Sequence, residues 1–236
     1  MDGGASATMQ YSLEHLNMKG GRKNVIRACL VLAAAAAALF LCSCESAGGR
    51  YGPGAGSFDT VIVDAGHGGH DRGAKSCFGA PEKDLTLDTA RRLADVLRRS
   101  GFTVIETRRD DRFITLGKRV EISNRSGKSV FVSVHYNWTK RRAARGIEIY
   151  YDSRRSARLA ANILKETIRV YRTENRGIKD RGFYVLRNNR RPAVLCELGF
   201  VSNADDNRNV QSAGVRQKLA ERIAAGIIAE RAGRTP

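Results

Sequence analysis

The stretch Thr60-Val61-Ile62-Val63-Asp64-Ala65-Gly66-His67-Gly68-Gly69-His70-Asp71 decides the fold of this chain. It consists of β-prone residues that run directly into a glycine-rich turn carrying a histidine. In a parallel sheet, a buried strand of this kind ends in a loop that presents ligands at the carboxyl edge of the sheet. We expect Gly66, Gly68 and Gly69 to adopt positive φ, so that the backbone can wrap closely around whatever His67 holds.

Segments of strand type and helix type alternate along the chain outside this stretch. Further strands are predicted at 102–107, 130–135, 146–151, 183–186 and 193–198. Amphipathic helices are predicted at 84–100 with Asp84 as a possible cap, at 115–126 with Thr115 as the cap, at 153–171, and around 219–228. The alternation predicts an α/β fold, specifically a single-domain three-layer sandwich with a mostly parallel central sheet flanked by helices.

Four residues along these strands and helices have side chains that could act together in one site, namely His67, Glu82, His135 and Glu197. Two histidines and a carboxylate are a usual ligand set for a catalytic zinc ion, which keeps a fourth position open for water. His67 and His135 follow apolar strands and can therefore meet at one edge of the sheet, while Glu82 is far enough along the loop to turn back towards them. Glu197 ends another apolar strand, where its predicted role is general base and then general acid.

Each of these residues, taken alone, has a simpler interpretation. Either histidine could be a core or surface residue, Glu82 could belong to the first turn of the next helix, and Glu197 could be half of an ion pair. Their joint occurrence is what favours a site. His70 is interpreted as a solvated loop residue, because nothing links it to the other four.

The motifs around these residues resemble those of the zinc-dependent N-acetylmuramoyl-L-alanine amidases of the Amidase_3 family. The resemblance runs from about Val61 to Ile228 and lies in four stretches: VDAGHGG at 63–69 with Asp71, EKDL at 82–85, FVSVHYN at 131–137 and PAVLCELGFVSN at 192–203. It implies that His67, Glu82 and His135 bind zinc and that Glu197 is the catalytic acid/base. Matches at Thr107, Arg108, Asp111, Leu116 and Arg119 imply structural roles.

The chain departs from the family pattern at a few positions. Ala65 replaces a usual proline, and Tyr136 and Trp138 replace small residues beside the third ligand. These two aromatic residues could shape the substrate groove, with Trp138 stacking on sugar or peptide, or they could be packed in the core.

The resemblance implies an enzyme that cleaves the amide between N-acetylmuramic acid and L-alanine of the peptidoglycan stem peptide. Two other functions stay open: another zinc peptidase or amide hydrolase of the envelope, and a wall-binding lipoprotein without catalysis. The connections 137–146 and 172–182 are too short for an inhibitory helix of several turns. We therefore expect activity without an activating partner.

The N-terminal part has the pattern of a secretory signal peptide. A basic patch at 18–23 precedes an apolar run at 28–41, so residues 1–44 are predicted to be the signal, with Met18 as a possible true start. Its end, Leu41-Cys42-Ser43-Cys44, resembles a bacterial lipobox, which implies a lipid on Cys44; ordinary cleavage nearby is the alternative. Residues 45–57 are predicted to be a flexible tether, and 58–232 the catalytic domain.

Charge and cysteine content agree with an exported protein. The net charge is +17, and after residue 44 there remain 37 basic and 22 acidic residues, a net charge of +15. Such a surface favours polyanions such as wall polymers, or is simply a solvated basic face.

Cys77 and Cys196 do not make a disulfide framework; Cys77 is assigned no role and Cys196 is expected in the core. We expect a monomer at the cell envelope that contacts peptidoglycan and membrane but no nucleic acid.

Overall fold

The computed structural model describes residues 54–236. The predicted signal peptide, Cys44 and most of the predicted tether lie outside the described residues. The strands are β1 (Thr60–Ala65), β2 (Thr103–Glu106), β3 (Ser129–Asn137), β4 (Ile147–Tyr151), β5 (Asn175–Asp180) and β6 (Ala193–Phe200). The helices are α1 (Glu82–Arg99), α2 (Leu116–Asn124), α3 (Arg154–Thr167), α4 (Tyr184–Arg187), α5 (Ala204–Gln211) and α6 (Ala213–Arg231).

The six strands form one sheet in the order β2-β1-β3-β6-β4-β5. All neighbouring pairs are parallel except β4 and β6, which are antiparallel. The predicted mostly parallel sheet is therefore confirmed. The chain runs from β1 to one side of the sheet and then returns to place β3 on the other side of β1. In open α/β sheets, such a reversal opens a crevice at the carboxyl ends of the strands, where ligands bind.

Helices cover both faces of the sheet and make the predicted three layers. Alternate residues of the central strands point to opposite faces. Val61, Val63, Val130 and Val132 join the larger core with α1, α3 and α6. On the other face Ile62, Phe131 and Leu195 pack with Val120 of α2 and Val185 and Leu186 of α4. The central strands are buried on both faces, which explains why they read as continuous apolar runs.

Two strand assignments made from the sequence were wrong. Residues 183–186 do not form a strand: they lead into the short helix α4, in which Val185 and Leu186 face the core while Phe183 and Tyr184 are exposed. The strand beside β4 is instead β5, whose sequence NRGIKD is polar and half exposed. It lies at the edge of the sheet, so it lacks the apolar pattern by which buried strands are recognised.

Helix ends differ from the expectations in places. Thr115 caps α2 by accepting the amide of Lys118, as predicted. Asp84 is not a cap, because α1 already begins at Glu82 and its N-cap position is Pro81. The helix α3 ends at Thr167 rather than near 171, and α5 was not predicted because its sequence ADDNRNVQ carries few apolar residues.

The chain already contacts the folded domain before residue 58. The backbone N–H of Ala55 donates to Glu230 Oε1 at 2.6 Å, and Glu230 is fully buried beside Arg158. Residues 54–57, which were assigned to the flexible tether, are thus held on the domain. This contact lies near the start of β1, at the sheet edge opposite the carboxyl ends of the parallel strands. No helix within residues 54–236 is long and apolar enough to cross a membrane.

Candidate active site

The structure brings His67, Glu82 and His135 together at the carboxyl edge of β1 and β3. One donor atom from each lies within 4.8 Å of the other two. Glu82 Oε1 is 3.1 Å from His67 Nε2 and 3.0 Å from His135 Nδ1. His67 follows β1, His135 lies near the end of β3, and Glu82 opens α1, so three segments distant in sequence converge on one point.

The turn after β1 has an unusual backbone that aims His67 into the site. His67 itself has φ of 61°, which is rare for a residue with a side chain, and Gly68 and Gly69 also have positive φ. Gly66 does not, contrary to expectation. It is required for close approach, because a Cβ there would be 2.3 Å from His135 Cε1.

Two buried arginines hold this turn in place. Arg119 Nη1 donates to Asp64 Oδ1 and to the carbonyl of Ala65, both at 2.6 Å, and its Nη2 donates to the carbonyl of His67 at 2.7 Å. Arg108 donates to the carbonyls of Ala65 and Gly66 at 3.0 and 2.8 Å. These bonds satisfy turn carbonyls that would otherwise be buried without partners, and they give physical content to the structural roles expected for both arginines.

Further partners orient the ligand side chains. Asp71 Oδ2 lies 2.9 Å from His67 Nδ1, which leaves Nε2 facing the site. Glu82 accepts the backbone N–H of Tyr136 on Oε1 at 3.0 Å and that of Ala74 on Oε2 at 2.7 Å. Burial lowers the pKa of His67, but hydrogen bonds and charges from Glu82 and Asp71 outweigh burial and raise it. Burial raises the pKa of Glu82, but the two histidines lower it far more.

The donor set fits a zinc ion. Two imidazole nitrogens and one carboxylate oxygen converge, and a carboxylate supports the outer nitrogen of His67, as is usual around zinc-bound histidines. The glycine at 73 leaves room for the set, since a Cβ there would be 2.7 Å from Glu82 Oε2 and from His67 Cδ2. The residues present therefore match a catalytic zinc site, in which three protein ligands leave a position open.

Glu197 lies directly beside this cluster. It is the register partner of His135 on the adjacent parallel strand β6. Its Oε2 is buried and has no hydrogen-bond partner within the described part of the chain. Burial raises the pKa of the Glu197 carboxyl well above its usual value, and the negative charges of Glu82 and Glu148 raise it further. An unpartnered buried carboxylate is costly to keep, which is typical of a functional group.

Glu148 is a neighbour that the sequence reasoning missed. It is the register partner of Glu197 on β4 and is buried. It accepts hydrogen bonds from Asn137 Nδ2 at 2.7 Å, Tyr150 hydroxyl at 2.5 Å and Arg176 Nε at 2.9 Å, and it also pairs with Lys179. The available signal was a charged residue within the otherwise apolar strand sequence IEIYY. Glu197 has none of these partners on its Oε2, so the two neighbouring carboxylates differ in how they are satisfied.

A cavity of about 600 Å³ opens onto the cluster. Its walls include His67, Glu82, His135 and Glu197, and most of the exposed large apolar side chains of residues 54–236 also line it: Phe113, Leu116, Trp138, Phe183 and Tyr184. The side chain of Tyr136 is packed, with its hydroxyl 2.7 Å from Thr89 Oγ1. Trp138 is 43% exposed and belongs to the cavity wall. Of the two aromatic residues that depart from the family pattern, Tyr136 is therefore packed in the core and Trp138 faces the cavity.

His70, interpreted as a loop residue, does not join the cluster. Its ring packs against Phe113 with the ring centroids 4.2 Å apart. Cys196 is buried in β6, as expected, and Cys77 is exposed.

Comparison with known proteins identifies the class to which this site belongs. The family model described as N-acetylmuramoyl-L-alanine amidase (Amidase_3) matches residues 61–229. The chain therefore belongs to the N-acetylmuramoyl-L-alanine amidase family, and the predicted fold and class of enzyme are confirmed.

Individual relatives agree with this assignment. The protein YqiI of Bacillus subtilis is 38% identical over 172 residues, which cover 71% of this chain and 82% of YqiI. The N-acetylmuramoyl-L-alanine amidase LytC of the same organism is 33% identical over 72% of this chain but only 35% of LytC. Among solved structures, N-acetylmuramoyl-L-alanine amidase AmiC2 of Nostoc punctiforme is similar with a TM-score of 0.69 and 36% identity, covering 72% of this chain and 94% of AmiC2.

Proposed function

We propose that this protein is a zinc-dependent peptidoglycan amidase that cleaves the amide between the lactyl group of N-acetylmuramic acid and L-alanine of the stem peptide. The observation that carries the proposal is the convergence of His67, Glu82 and His135 beside the unpartnered carboxylate of Glu197, at the floor of one cavity. Family membership supports the reaction, and the geometry supports the residue roles.

His67 Nε2, His135 Nδ1 and Glu82 Oε1 are the atoms that would hold the zinc ion, because they are the ones that face one another. When bound, zinc supplies a Lewis acid that polarises the scissile carbonyl and lowers the pKa of a water molecule. The protein keeps the ligands in place through Asp71 on His67 and through the two backbone amides on Glu82.

Glu197 is the group that would move protons. As a general base it accepts a proton from the attacking water, and as a general acid it then delivers the proton to the nitrogen of the departing L-alanine. A raised pKa suits both steps, because the carboxyl then holds a proton more readily than an ordinary glutamate and can pass it on to the leaving group. Its place opposite His135 in the strand register puts it within the same cavity as the ligands.

The apolar cavity wall suits a glycopeptide substrate. Trp138, Phe183 and Tyr184 are each more than 40% exposed, although they are large side chains that bury readily. A contiguous exposed apolar surface next to polar reactive groups is typical of a binding site. Sugar rings and the peptide chain present C–H surfaces that can pack against such aromatic rings.

We also propose that the enzyme works at the cell envelope, since the substrate lies there. Export by the signal peptide at 1–44 and a lipid on Cys44 would hold the enzyme near the wall.

The test is incubation of the purified protein with purified sacculi, with and without a chelator, followed by mass analysis of the soluble products. We expect stem peptides with a free L-alanine amino group, about one zinc per chain, loss of activity in chelator and recovery on adding zinc. Cuts within the stem peptide would instead identify a peptidase. Binding to sacculi without any product would identify a wall-binding protein, and full activity without zinc would refute the metal assignment.

A further inference from the structure

A second cavity of about 600 Å³ adjoins the one at the cluster. Trp138, which is exposed, contributes to the walls of both cavities. The metal-site cavity also includes Ala74, and the second cavity includes the next residue, Lys75. Since consecutive Cα atoms are about 3.8 Å apart, the second cavity begins within one residue of the backbone amide that Glu82 holds.

The walls of this second cavity are fixed to the segment that follows β6. The backbone N–H of Cys77 donates to the carbonyl of Val201 at 2.9 Å, which anchors the wall that carries Lys75. On the other side, Asn203 Nδ2 donates to the carbonyl of Arg142 at 2.8 Å. The backbone N–H of Thr139 donates to Ser202 Oγ at 3.1 Å. Both walls are therefore positioned by the segment that directly follows the strand carrying Glu197.

The second cavity differs from the first in its charge. Lys75 and Arg142 line it, and neither takes part in an ion pair within residues 54–236. Arg142 Nη1 contacts only the carbonyl of Ser202, at 3.3 Å. The acidic side chain in the wall, Asp205, is already paired with Arg208 at 3.0 Å. The cavity thus offers two cationic groups to an incoming anion.

We propose that this second cavity is a subsite for the acidic part of the stem peptide, with Lys75 and Arg142 binding its free carboxylates. The inference rests on the proposed function, because it takes the metal site as the place of the scissile amide. A stem peptide that leaves this amide carries free carboxylates from its second residue onward. Two extended residues span about 7 Å, and the two cavities share Trp138 and are lined by the neighbouring residues Ala74 and Lys75. The apolar first cavity is left for the glycan side.

The first experiment measures steady-state kinetics on two muramoyl tripeptides that differ only in whether the α-carboxylate of the second residue is free or amidated. Exposed ion pairs contribute about 0.2–1 kcal/mol each, so two of them predict a preference of about two- to thirtyfold for the free carboxylate. The variant Lys75→Gln/Arg142→Gln should lose this preference through a higher KM for the free acid, with kcat within about twofold of wild type. The matched control Arg99→Gln/Lys218→Gln removes two exposed cations on α1 and α6 and should keep the preference.

The second experiment does not depend on turnover. Cys77 lines the same cavity and is exposed, so its rate of alkylation, read by mass spectrometry of the peptide that contains it, reports occupancy. The stem tripeptide L-alanyl-γ-D-glutamyl-L-lysine should slow this alkylation at concentrations at which its α-amide does not. In Lys75→Gln/Arg142→Gln the two peptides should protect equally.

The outcomes separate this inference from the proposed function. If wild type hydrolyses both substrates without preference, or if the double variant keeps the preference, the subsite is refuted and the amidase is not. If wild type hydrolyses neither substrate, the proposed function fails. Protection of Cys77 by the free acid alone would then still support an anion subsite, and equal protection by both peptides would refute it.

Discussion

Replacing Asp64 by asparagine should destabilise the protein strongly, although Asp64 is not expected to touch zinc or substrate. Its carboxylate is 1% exposed and accepts hydrogen bonds from Arg119 Nη1 at 2.6 Å, Thr107 Oγ1 at 2.7 Å and Ser133 Oγ at 2.6 Å. Arg119 is 3% exposed, so the substitution leaves a buried guanidinium without its counter-charge.

The size of the effect follows from this burial. Removing one partner of a buried ion pair costs about 3–5 kcal/mol in the free energy of unfolding. For a domain of this size, each 1 kcal/mol lowers the melting temperature by about 2–4 °C. We therefore expect Asp64→Asn to melt about 6–20 °C below wild type. Because Arg119 also holds the carbonyl of His67, zinc affinity should fall by about 10- to 100-fold, as for other residues that support a metal ligand.

The loss of stability in Asp64→Asn should be larger at neutral pH than at acidic pH. Burial raises the pKa of Asp64, but the charge of Arg119 and the hydrogen bonds from Ser133, Thr107 and Arg119 outweigh it and lower the pKa below 3.8. A carboxyl group whose pKa is lower in the folded protein than in the unfolded chain stabilises the fold at every pH above the pKa of the unfolded chain. This stabilisation is lost as the pH falls towards the pKa of the folded protein. The gap between wild type and variant should be full at pH 7 and should narrow below about pH 4.

The assay is thermal unfolding followed by circular dichroism from pH 7 down to pH 3, together with a zinc titration. The control is Asp95→Asn, which removes an exposed carboxylate 3.3 Å from Arg98 and should cost no more than about 1 kcal/mol. If Asp64→Asn melts within 2 °C of the Asp95→Asn control at pH 7, the buried pair does not stabilise the fold and the reasoning is wrong.

Three further predictions concern catalysis and location. Glu197→Gln should keep the fold and bound zinc but lose about 10²- to 10⁴-fold in kcat, whereas the exposed control Glu174→Gln should keep it; near wild-type turnover in Glu197→Gln would make Glu197 structural. Cys44→Ala should move the protein from the membrane to the soluble fraction, or change how it is processed, because the proposed lipid on this cysteine would be the anchor; an unchanged fractionation with no lipid mass on the mature N-terminal peptide would count against lipidation. The purified protein should degrade sacculi without another envelope protein, because residues 138–146 form no helix over the cavity; a many-fold rise in rate on adding such a protein would reveal a gate.

Much of the fold could be predicted because its signals are local. β1 and β3 are buried on both faces, so their sequences are almost continuously apolar and identify central strands of a parallel sheet. The glycine-rich turn after β1 is equally local, as is the helical spacing in α1. The edge strand β5 and the short helix α4 escaped prediction because neither has a pattern of its own: contacts with the rest of the domain decide them.

The positions of the four site residues could also be predicted from the sequence. His67 follows β1, His135 lies near the end of β3, Glu82 opens α1 and Glu197 lies within β6, and the resemblance to the family assigns each a role. The chemical difference between Glu197 and Glu148 could not be predicted. Both are acidic residues in strands, and only the tertiary contacts show that Glu148 has four polar partners while one oxygen of Glu197 has none.

The sequence by itself thus determined the central strands and the longer helices, the class of sheet and the residues able to hold a metal. Only the tertiary structure decided how these residues act together. It placed Glu197 beside His135 through the strand register, held the positive φ of His67 through Arg119, and made Trp138 part of the walls of two cavities. The physical reason is that the partners are far apart along the chain. Arg119 lies 52 residues from His67, and the residues that line the two cavities with Trp138 come from distant loops that only folding brings together. Local sequence patterns record which residues are buried, but not which distant partner fills the space beside them.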